Sequence, residues 1–441
     1  MRTLPVVVLG CMVMAAGGVF AEEPALSLAE AVKIALANNR PAKVLELDIT
    51  KAEWAVASTK TKRLPSFSTY LFGSAMLTSP SWNFPANTFQ TSDNQPVPAS
   101  DTRVNLSHGF TGYVIAEVAQ PLSQLYRIGL AIHEQQLDVD LSRQKYGGKR
   151  QAVIADVKQA YYAILQTESA LDAAADTVKQ YQETDRVVLD YLAQHSVLKS
   201  SSLEVKAKLA QAQYQVIQLN NTLQDQKERL NFLMGRDLYV PFRTVQVPSE
   251  QAEEIDLKLA RQTALSQRPE VKEAEIDTRR ADYDRKIAKS QYIPDLGAAF
   301  HYTSPFNTSI LPTNIAAAGF EMRWEPFEWG RRRDEVKQKD IVVAQSKYQL
   351  DEARSQVLLD VDSSFRKLAE SRSLLAVTEA ARAAAIEKLR EVNDKFKQSA
   401  VLLRDVLEQQ ATVATADKEY EESLLAFWSA KASFEKALGE E

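Results

Sequence analysis

Four stretches of this sequence alternate apolar and polar residues with period two, the pattern of a strand with one apolar and one polar face. In the last, Phe320, Met322 and Trp324 alternate with Gly319, Glu321, Arg323 and Glu325. In the third, Leu296, Ala298, Phe300 and Tyr302 alternate with Asp295, Gly297, Ala299 and His301. A second strand is read over about 110–120, where Val114, Ala116 and Val118 alternate with Tyr113, Ile115 and Glu117, and a first over 67–77. Pro121 and Pro326 end their strands and are read as opening long helices, because a fixed φ and a missing donor suit the first helical turn. The later of these helices is predicted over 327–398. Ser27-Leu28-Ala29-Glu30 is a capping box that starts a helix running to about 62, with a kink or break at Pro41 and a stop at Leu64-Pro65. Residues 78–109, rich in Pro, Asn, Ser and Thr and carrying Trp82, Phe84 and Phe89, read as a long exposed loop.

The order then restarts. After a linker over 236–255, Asp256 can cap a helix, Arg268-Pro269 echoes Arg40-Pro41, and Ile293-Pro294 echoes Leu64-Pro65. Lys51-Ala52-Glu53-Trp54 matches Arg280-Ala281-Asp282-Tyr283 at an offset of 229. Pro121 matches Pro326 at 205, and both SVLKSSSLE (196–204) with AVLLRDVLE (400–408) and Met234-Gly235 with Leu438-Gly439 match at 204. The fall in offset reflects a shorter second loop. One duplicated unit therefore fills residues 22–235 and 256–441.

Length restricts how such units pack. At about 1.5 Å per residue the helix over 327–398 reaches roughly 108 Å, and those over 256–291 and 403–438 about 54 Å each. A long helix paired with two shorter coaxial ones is expected in each half. Val357, Val361, Phe365 and Leu368 have the 3/4 spacing of a coiled-coil seam. Helices this long cannot bury their apolar faces within one thin protomer, so they require neighbours.

Strands of about 10 residues have the length that crosses a bilayer when tilted. A soluble β-sandwich edge shows the same alternation, so alternation alone leaves both open. Strand number separates them: four strands cannot close a barrel, and an open edge is not tolerated in lipid. Two copies would give about 8 strands with a filled interior, and three about 12 with room for an aqueous lumen.

Composition adds limits. The chain has 441 residues, 45% hydrophobic and 25% charged, with a net charge of −5. This is ordinary for a folded protein and gives no footprint for nucleic acid. Residues 1–21 read as a secretory signal: Arg2, an apolar run over 6–19, and Val19-Phe20-Ala21 before Glu22. The alternative is an N-terminal anchor. The single cysteine, Cys11, lies within this segment, so the mature chain has no disulfide framework. No later segment has the 18 or so apolar residues of a membrane helix.

With these features in hand, the chain resembles the TolC-type outer-membrane efflux proteins. The resemblance rests on LSLAEAVKIALANNRP (26–41), VAQPL (118–122), LNFLMGRDL (230–238), PFEWGRRRDE (326–335), AVLLRDVLEQQA (400–411) and LLAFWSAKASFEKALGE (424–440), in order across both halves. It implies an α+β membrane protein built on a duplicated strand and long-helix-hairpin repeat. The expected assembly is a homotrimer whose 12-stranded β-barrel crosses the bacterial outer membrane and continues into a periplasmic α-barrel of 12 helices. It implies a passive exit duct of a tripartite efflux or type I secretion system, with a periplasmic adaptor, an inner-membrane pump and outer-membrane lipid as partners and no cofactor. A soluble periplasmic coiled-coil adaptor or scaffold is the alternative, although an adaptor would carry β-rich modules around a single hairpin.

The resemblance places the periplasmic tip and gate at Ser196, Val197, Leu198, Lys199, Ser200 and Ser201, and at Ala400, Val401, Leu402, Leu403, Arg404 and Asp405. The family often has Gly at the start of each turn and Asp near its end. Here Ser196 and Ala400 occupy the Gly places and Ser201 the first Asp place, leaving only Asp405. A ring of Asp405 side chains could form the gate or pair with Arg404; the alternative is that Asp405 caps the returning helix. The expected lumen face carries Glu117, His301, Glu321, Arg323 and Glu325, as charge-tuning groups or simply a solvated wall. The expected lipid face carries Leu296, Phe300, Tyr302, Phe320, Met322 and Trp324. Trp324, Trp329 and Tyr302 suit interfacial aromatics or ordinary packing, and Arg331-Arg332-Arg333 reads as a solvated helical face.

His108, His133, His195 and His301 are scattered, without HExxH, CxxC or a ligand pair at helical spacing, and there is no GxSxG, P-loop or GxGxxG. No enzyme chemistry is expected, so energy for transport would come from the pump.

Overall fold

The computed structural model describes residues 24–75, 77–78, 81–105, 110–194, 197–246, 256–306, 312, 314–398 and 400–439. The signal-like segment with Cys11 lies outside them, as do Ser196, His108 and His195. In chain order the elements are β1 (Ala25–Leu26), α1 (Leu28–Asn38), α2 (Arg40–Thr61), β2 (Ser66–Ala75), β3 (Ser81–Phe84), β4 (Phe89–Gln90), β5 (Pro96–Val97), β6 (Thr102–Asn105), β7 (Phe110–Pro121), α3 (Gln124–Ala193) and α4 (Lys199–Leu233). There follow β8 (Arg243–Thr244), α5 (Leu257–Gln267), α6 (Pro269–Ser290), β9 (Asp295–Phe306), β10 (Ile315–Arg323), α7 (Arg331–Lys397) and α8 (Leu403–Leu438). Helices dominate; α3 and α7, with 70 and 67 residues, are the longest.

The caps form as their chemistry requires. The Glu30 backbone N–H donates to Ser27 Oγ at 3.2 Å, and Glu30 Oε2 accepts the Ser27 N–H at 3.0 Å. Asp256 accepts the Lys258 N–H at 2.8 Å. Pro41 and Pro269 sit in the first turns of α2 and α6, which begin after breaks at Asn39 and Arg268.

The prolines expected to open the long helices do not. Pro121 is the last residue of β7, and α3 begins at Gln124. Pro326 lies in an extended segment and α7 begins only at Arg331, because Trp329 (φ 55) and Gly330 (φ 88) take the left-handed backbone conformation, which a right-handed helix cannot include. Residues 78–109 are also more than a loop. Trp82 pairs with Val104 and Phe84 with Thr102 across β3 and β6, Phe89 pairs with Val97 across β4 and β5, and the Phe84 and Phe89 rings lie 5.8 Å apart. Strands of four and two residues are too short to leave a periodicity to read.

The described residues form two compact units, each drawing on both halves of the duplication. One comprises 24–40, 152–246 and 365–434 of the described chain. In it Ala31 and Ala35 of α1 pack with Val153, Val157, Tyr161 and Ile164 of α3 and with Leu230, Leu233 and Met234, closed by Phe242. The α3 residues follow helical spacing, so one stripe is buried; each large apolar side chain contributes about 1.5–3 kcal/mol. The buried Tyr161 hydroxyl accepts the Val245 N–H at 2.8 Å and lies 2.8 Å from the Leu26 carbonyl oxygen, clasping the parallel pair of β1 and β8.

The other unit comprises 41–151, 256–364 and 435–439 of the described chain. It contains the four-stranded sheet and the clusters of Val56 with Ile132 and Val139 and of Leu137 and Leu141 with Ile276. Val357 and Val361, expected on an apolar seam, are buried.

Candidate channel sheet and helical turns

The sheet is antiparallel throughout, in the order β10-β9-β7-β2. Residues directly opposed across strands share a face. Glu117 opposes His301 and Ser68, Glu321 opposes Gly297, and Arg323 opposes Asp295. The register therefore brings Glu117, His301, Glu321 and Arg323 to one face. Phe300 opposes Val118 and Ala318, Phe320 opposes Ala298, Met322 opposes Leu296, and Tyr302 opposes Ala116. Leu296, Phe300, Tyr302, Phe320 and Met322 thus share the other face, with Phe67 and Leu71 of β2.

Glu325 and Trp324, expected on those two faces, lie past the end of β10. The strand stops short because its chain turns away ahead of α7, and Glu325 instead faces Arg331 at 3.6 Å and Arg332 at 3.7 Å. The arginine run is likewise not a uniformly solvated face. Arg331 binds Glu328 at 2.5 Å and Glu335 at 3.0 Å, and Arg332, only 17% exposed in its side chain, pairs with Glu328. Glu328 stands three and four residues before these arginines, so the pairs have helical spacing even though the carboxylate lies in the bend ahead of α7.

The polar face is not polar along its whole length. Towards the ends joined by loops it carries Tyr70, Phe72 and Tyr113, with the Phe72 and Tyr113 rings stacked at 5.1 Å. On the opposite face Phe110 and Phe306 meet at 5.9 Å over Gly112, where a Cβ would collide with the Phe306 ring and the Phe72 carbonyl oxygen. Only the helix-proximal half holds the charged residues. Among the described residues β2 and β10 are each paired on one side only, leaving two bare edges.

The helical turns are tighter than the sequence suggested. Lys199, Ser200 and Ser201 already belong to α4, with Val197 and Leu198 in the turn before it; Leu403, Arg404 and Asp405 belong to α8, with Ala400, Val401 and Leu402 before it. Asp405 Oδ2 accepts the Leu402 N–H at 2.9 Å, as a carboxylate three residues inside a helix does for the residue before it. The contact with Arg404 is longer, 3.9 Å. Ser201, at the equivalent place, leaves Leu198 with no side-chain cap.

A site that sequence reading missed lies at the junction of α3, α6 and α7. Asp284 binds Lys339 at 2.9 Å and faces Glu134, while Arg280 binds Asp138 at 2.7 Å. Burial first, then Asp284 and Asp138, push the Glu134 carboxyl up to about 7 against the opposing pull of Arg280. The sequence carries no local signal for it, because Glu134, Asp284 and Lys339 stand on three different helices. Among the described residues no group of three or more His, Cys, Asp or Glu is arranged to hold a metal ion, and no helix is long and apolar enough to cross a membrane.

The folds of several solved membrane proteins are close to this one. CusC, from a study of transmembrane channel formation, superposes with a TM-score of 0.78 at 15% identity, covering 94% of this chain and 92% of its own. The Campylobacter jejuni CmeC outer membrane channel gives 0.77 at 15%, covering 93% and 85%. The Vibrio cholerae outer membrane protein VceC gives 0.72 at 14%, covering 94% and 96%. No curated protein matches the sequence significantly. A family model described as outer membrane efflux protein matches residues 31–236 and 260–440, nearly all of both halves that build the two-faced sheet and the long hairpins, and the chain belongs to that family.

Proposed function

We propose that this protein is an outer-membrane exit duct of an efflux or secretion system, assembled as a homotrimer and passing solute passively from a periplasmic adaptor and inner-membrane pump to the exterior. The observation that carries this reading is the sheet: one face apolar, the other charged near the helices, and two bare edges about ten residues long. Lipid supplies no partner for edge N–H and C=O groups, so a membrane-embedded sheet must close. Pairing β2 of one copy with β10 of the next closes three copies into a barrel of about 12 strands, with Glu117, His301, Glu321 and Arg323 lining water and Leu296, Phe300, Tyr302, Phe320 and Met322 facing lipid. The helical turns at 196–201 and 400–405 are the proposed periplasmic docking end, and 22–235 and 256–441 the two duplicated domains joined by the 236–255 linker. The family consists of channels rather than enzymes, so no reaction is assigned.

The test is the mass of protein extracted from outer-membrane fractions, with bound detergent subtracted by light scattering, combined with conductance in planar bilayers. A conducting trimer is expected. A monomer soluble without detergent would return the chain to the scaffold class.

A further inference from the structure

Between β10 and α7 the chain makes a bend over residues 324–330 that inverts the usual arrangement of a water-facing turn. One of its two carboxylates points in: Glu328, 11% exposed in its side chain, is held by Arg331 and Arg332, while Glu325 is exposed and faces the same two arginines. Its large rings point out: Phe327 is 70% exposed and Trp329 is 90% exposed. The two rings touch each other edge to face, with centroids 4.8 Å apart. Trp329 also carries backbone strain, since φ 55 crowds a residue with a Cβ, whereas the same conformation costs its neighbour Gly330 nothing. The ring contact with Phe327 is the one packing interaction described for this almost wholly exposed side chain, and it does little to offset the strain. The bend continues directly from Phe320 and Met322, both exposed, on the apolar face of the sheet. Arg333, exposed and hydrogen-bonded to the equally exposed adjacent Asp334 at 3.2 Å, lies three residues beyond the bend at the start of α7.

We propose that residues 324–330 are a lipid hook, with Phe327 and Trp329 seated at the headgroup–acyl boundary of a phospholipid leaflet and Arg333 on a lipid phosphate. The proposal rests on the exit-duct reading, which puts the apolar sheet face in the bilayer and the helices in the periplasm; the leaflet is then the periplasm-facing one. A phospholipid fits better than a protein partner for two reasons. The rings extend a surface already assigned to lipid, and an indole combines an apolar body with one N–H donor, the chemistry of the wet edge of a bilayer. The inward carboxylate makes the bend rigid, so that little conformational freedom is lost when the rings insert.

The hook is tested with the full chain reconstituted into phosphatidylglycerol-containing vesicles whose acyl chains carry bromine close to the ester groups. The sequence has 5 tryptophans, so wild type is compared with Trp329→Phe. The expected result is that the lipid-quenchable part of the emission falls by about half in the variant, while aqueous iodide quenches Trp329 little. Unchanged lipid quenching in a variant that still inserts and conducts overturns the hook and leaves the duct intact. Shielding of Trp329 from both quenchers means that a second copy of the chain covers the bend, which also overturns the hook. Failure of the wild type to enter vesicles at all removes the duct reading and the hook with it. Trp329→Gly, which relieves the strained φ, guards against a folding artefact: its thermal midpoint in detergent is expected to match or exceed wild type while lipid quenching falls as in Trp329→Phe.

Discussion

The two helix breaks, at Asn39 in the first half and Arg268 in the second, have nearly the same backbone and different chemistry. Asn39 (φ −58, ψ 117) and Arg268 (φ −59, ψ 125) are both buried, and each ends an 11-residue helix. The Asn39 amide donates to the Leu233 carbonyl at 2.9 Å; the Arg268 guanidinium lies 3.5 Å from the Ala437 carbonyl, the position 204 residues later. Beside each stands a left-handed glycine, Gly235 (φ 68) against Asn38 and Gly439 (φ 82) against Gln267 and Arg268. The first half meets the buried helix end with a neutral amide. The second uses a cation, which in turn requires Glu270 at 2.9 Å and Asp360 at 3.4 Å. Between the two breaks, then, the backbone geometry is the shared feature and the group that satisfies it differs.

The comparison is broken most severely at the glycines. A Cβ at Gly235 would overlap the Asn38 carbonyl group, so Gly235→Ala combines positive-φ strain with a backbone clash and should destabilise by about 3 kcal/mol or more. At Gly439 the nearest atom to such a Cβ is 3.2 Å away, and Gly439→Ala should cost about 1–2 kcal/mol. Denaturant unfolding in detergent measures both, and equal losses would mean that the closer approach at Gly235 does not hold in solution.

Next come the polar groups themselves. Arg268→Leu strands buried carbonyls and two carboxylates and is expected to cost about 2–3 kcal/mol, against about 1 kcal/mol for Asn39→Ala. Exchange is the sharper version: Arg268→Asn should restore part of the loss, because the break needs a donor there rather than a charge.

A third contrast lies at Asp284, approached by Glu134 from α3 and by Lys339 from α7, residues 205 apart and so at matching places in the duplication. The Glu134 pKa is raised in the folded protein, so the stabilisation associated with its protonated form is complete below the ordinary value of 4.5 and is lost as pH rises through about 7. The thermal midpoint should fall between pH 5.5 and 8, and Glu134→Gln should flatten that fall. The smallest effect is expected at the turns. Asp405→Ala loses the cap on Leu402 at about 1 kcal/mol, while Asp405→Asn keeps an acceptor there and removes only the charge. Conductance altered by both variants assigns Asp405 to the gate; conductance altered by Ala alone assigns it to the cap.

Much of this was open to reading because the signals are local. The Ser27 and Asp256 caps are formed by side chains two or three residues from their donors. Face assignment follows from period two, so Glu117 and His301 could be placed on one side of a sheet before their strands were known to be neighbours. Family motifs located the helical turns but not their bounds, since Lys199 and Leu403 enter helices whose starts depend on tertiary packing.

The sequence by itself carried the repeated motifs, the alternation within the strands up to Arg323, the caps and the helix-breaking prolines, because each depends on residues a few positions apart or on a spacing that can be counted. Tertiary structure alone decided three other matters. It set the strand order that brings β7 beside β9, the convergence of Glu134, Asp284 and Lys339, and the displacement of α7 to Arg331, where Glu328 turns inward and Trp329 outward. The first two are decided by pairing between distant segments, which no local pattern encodes; the third is decided by the left-handed bend at Trp329 and Gly330, whose short-range Glu328 pairs have the same spacing as a continuing helix would give.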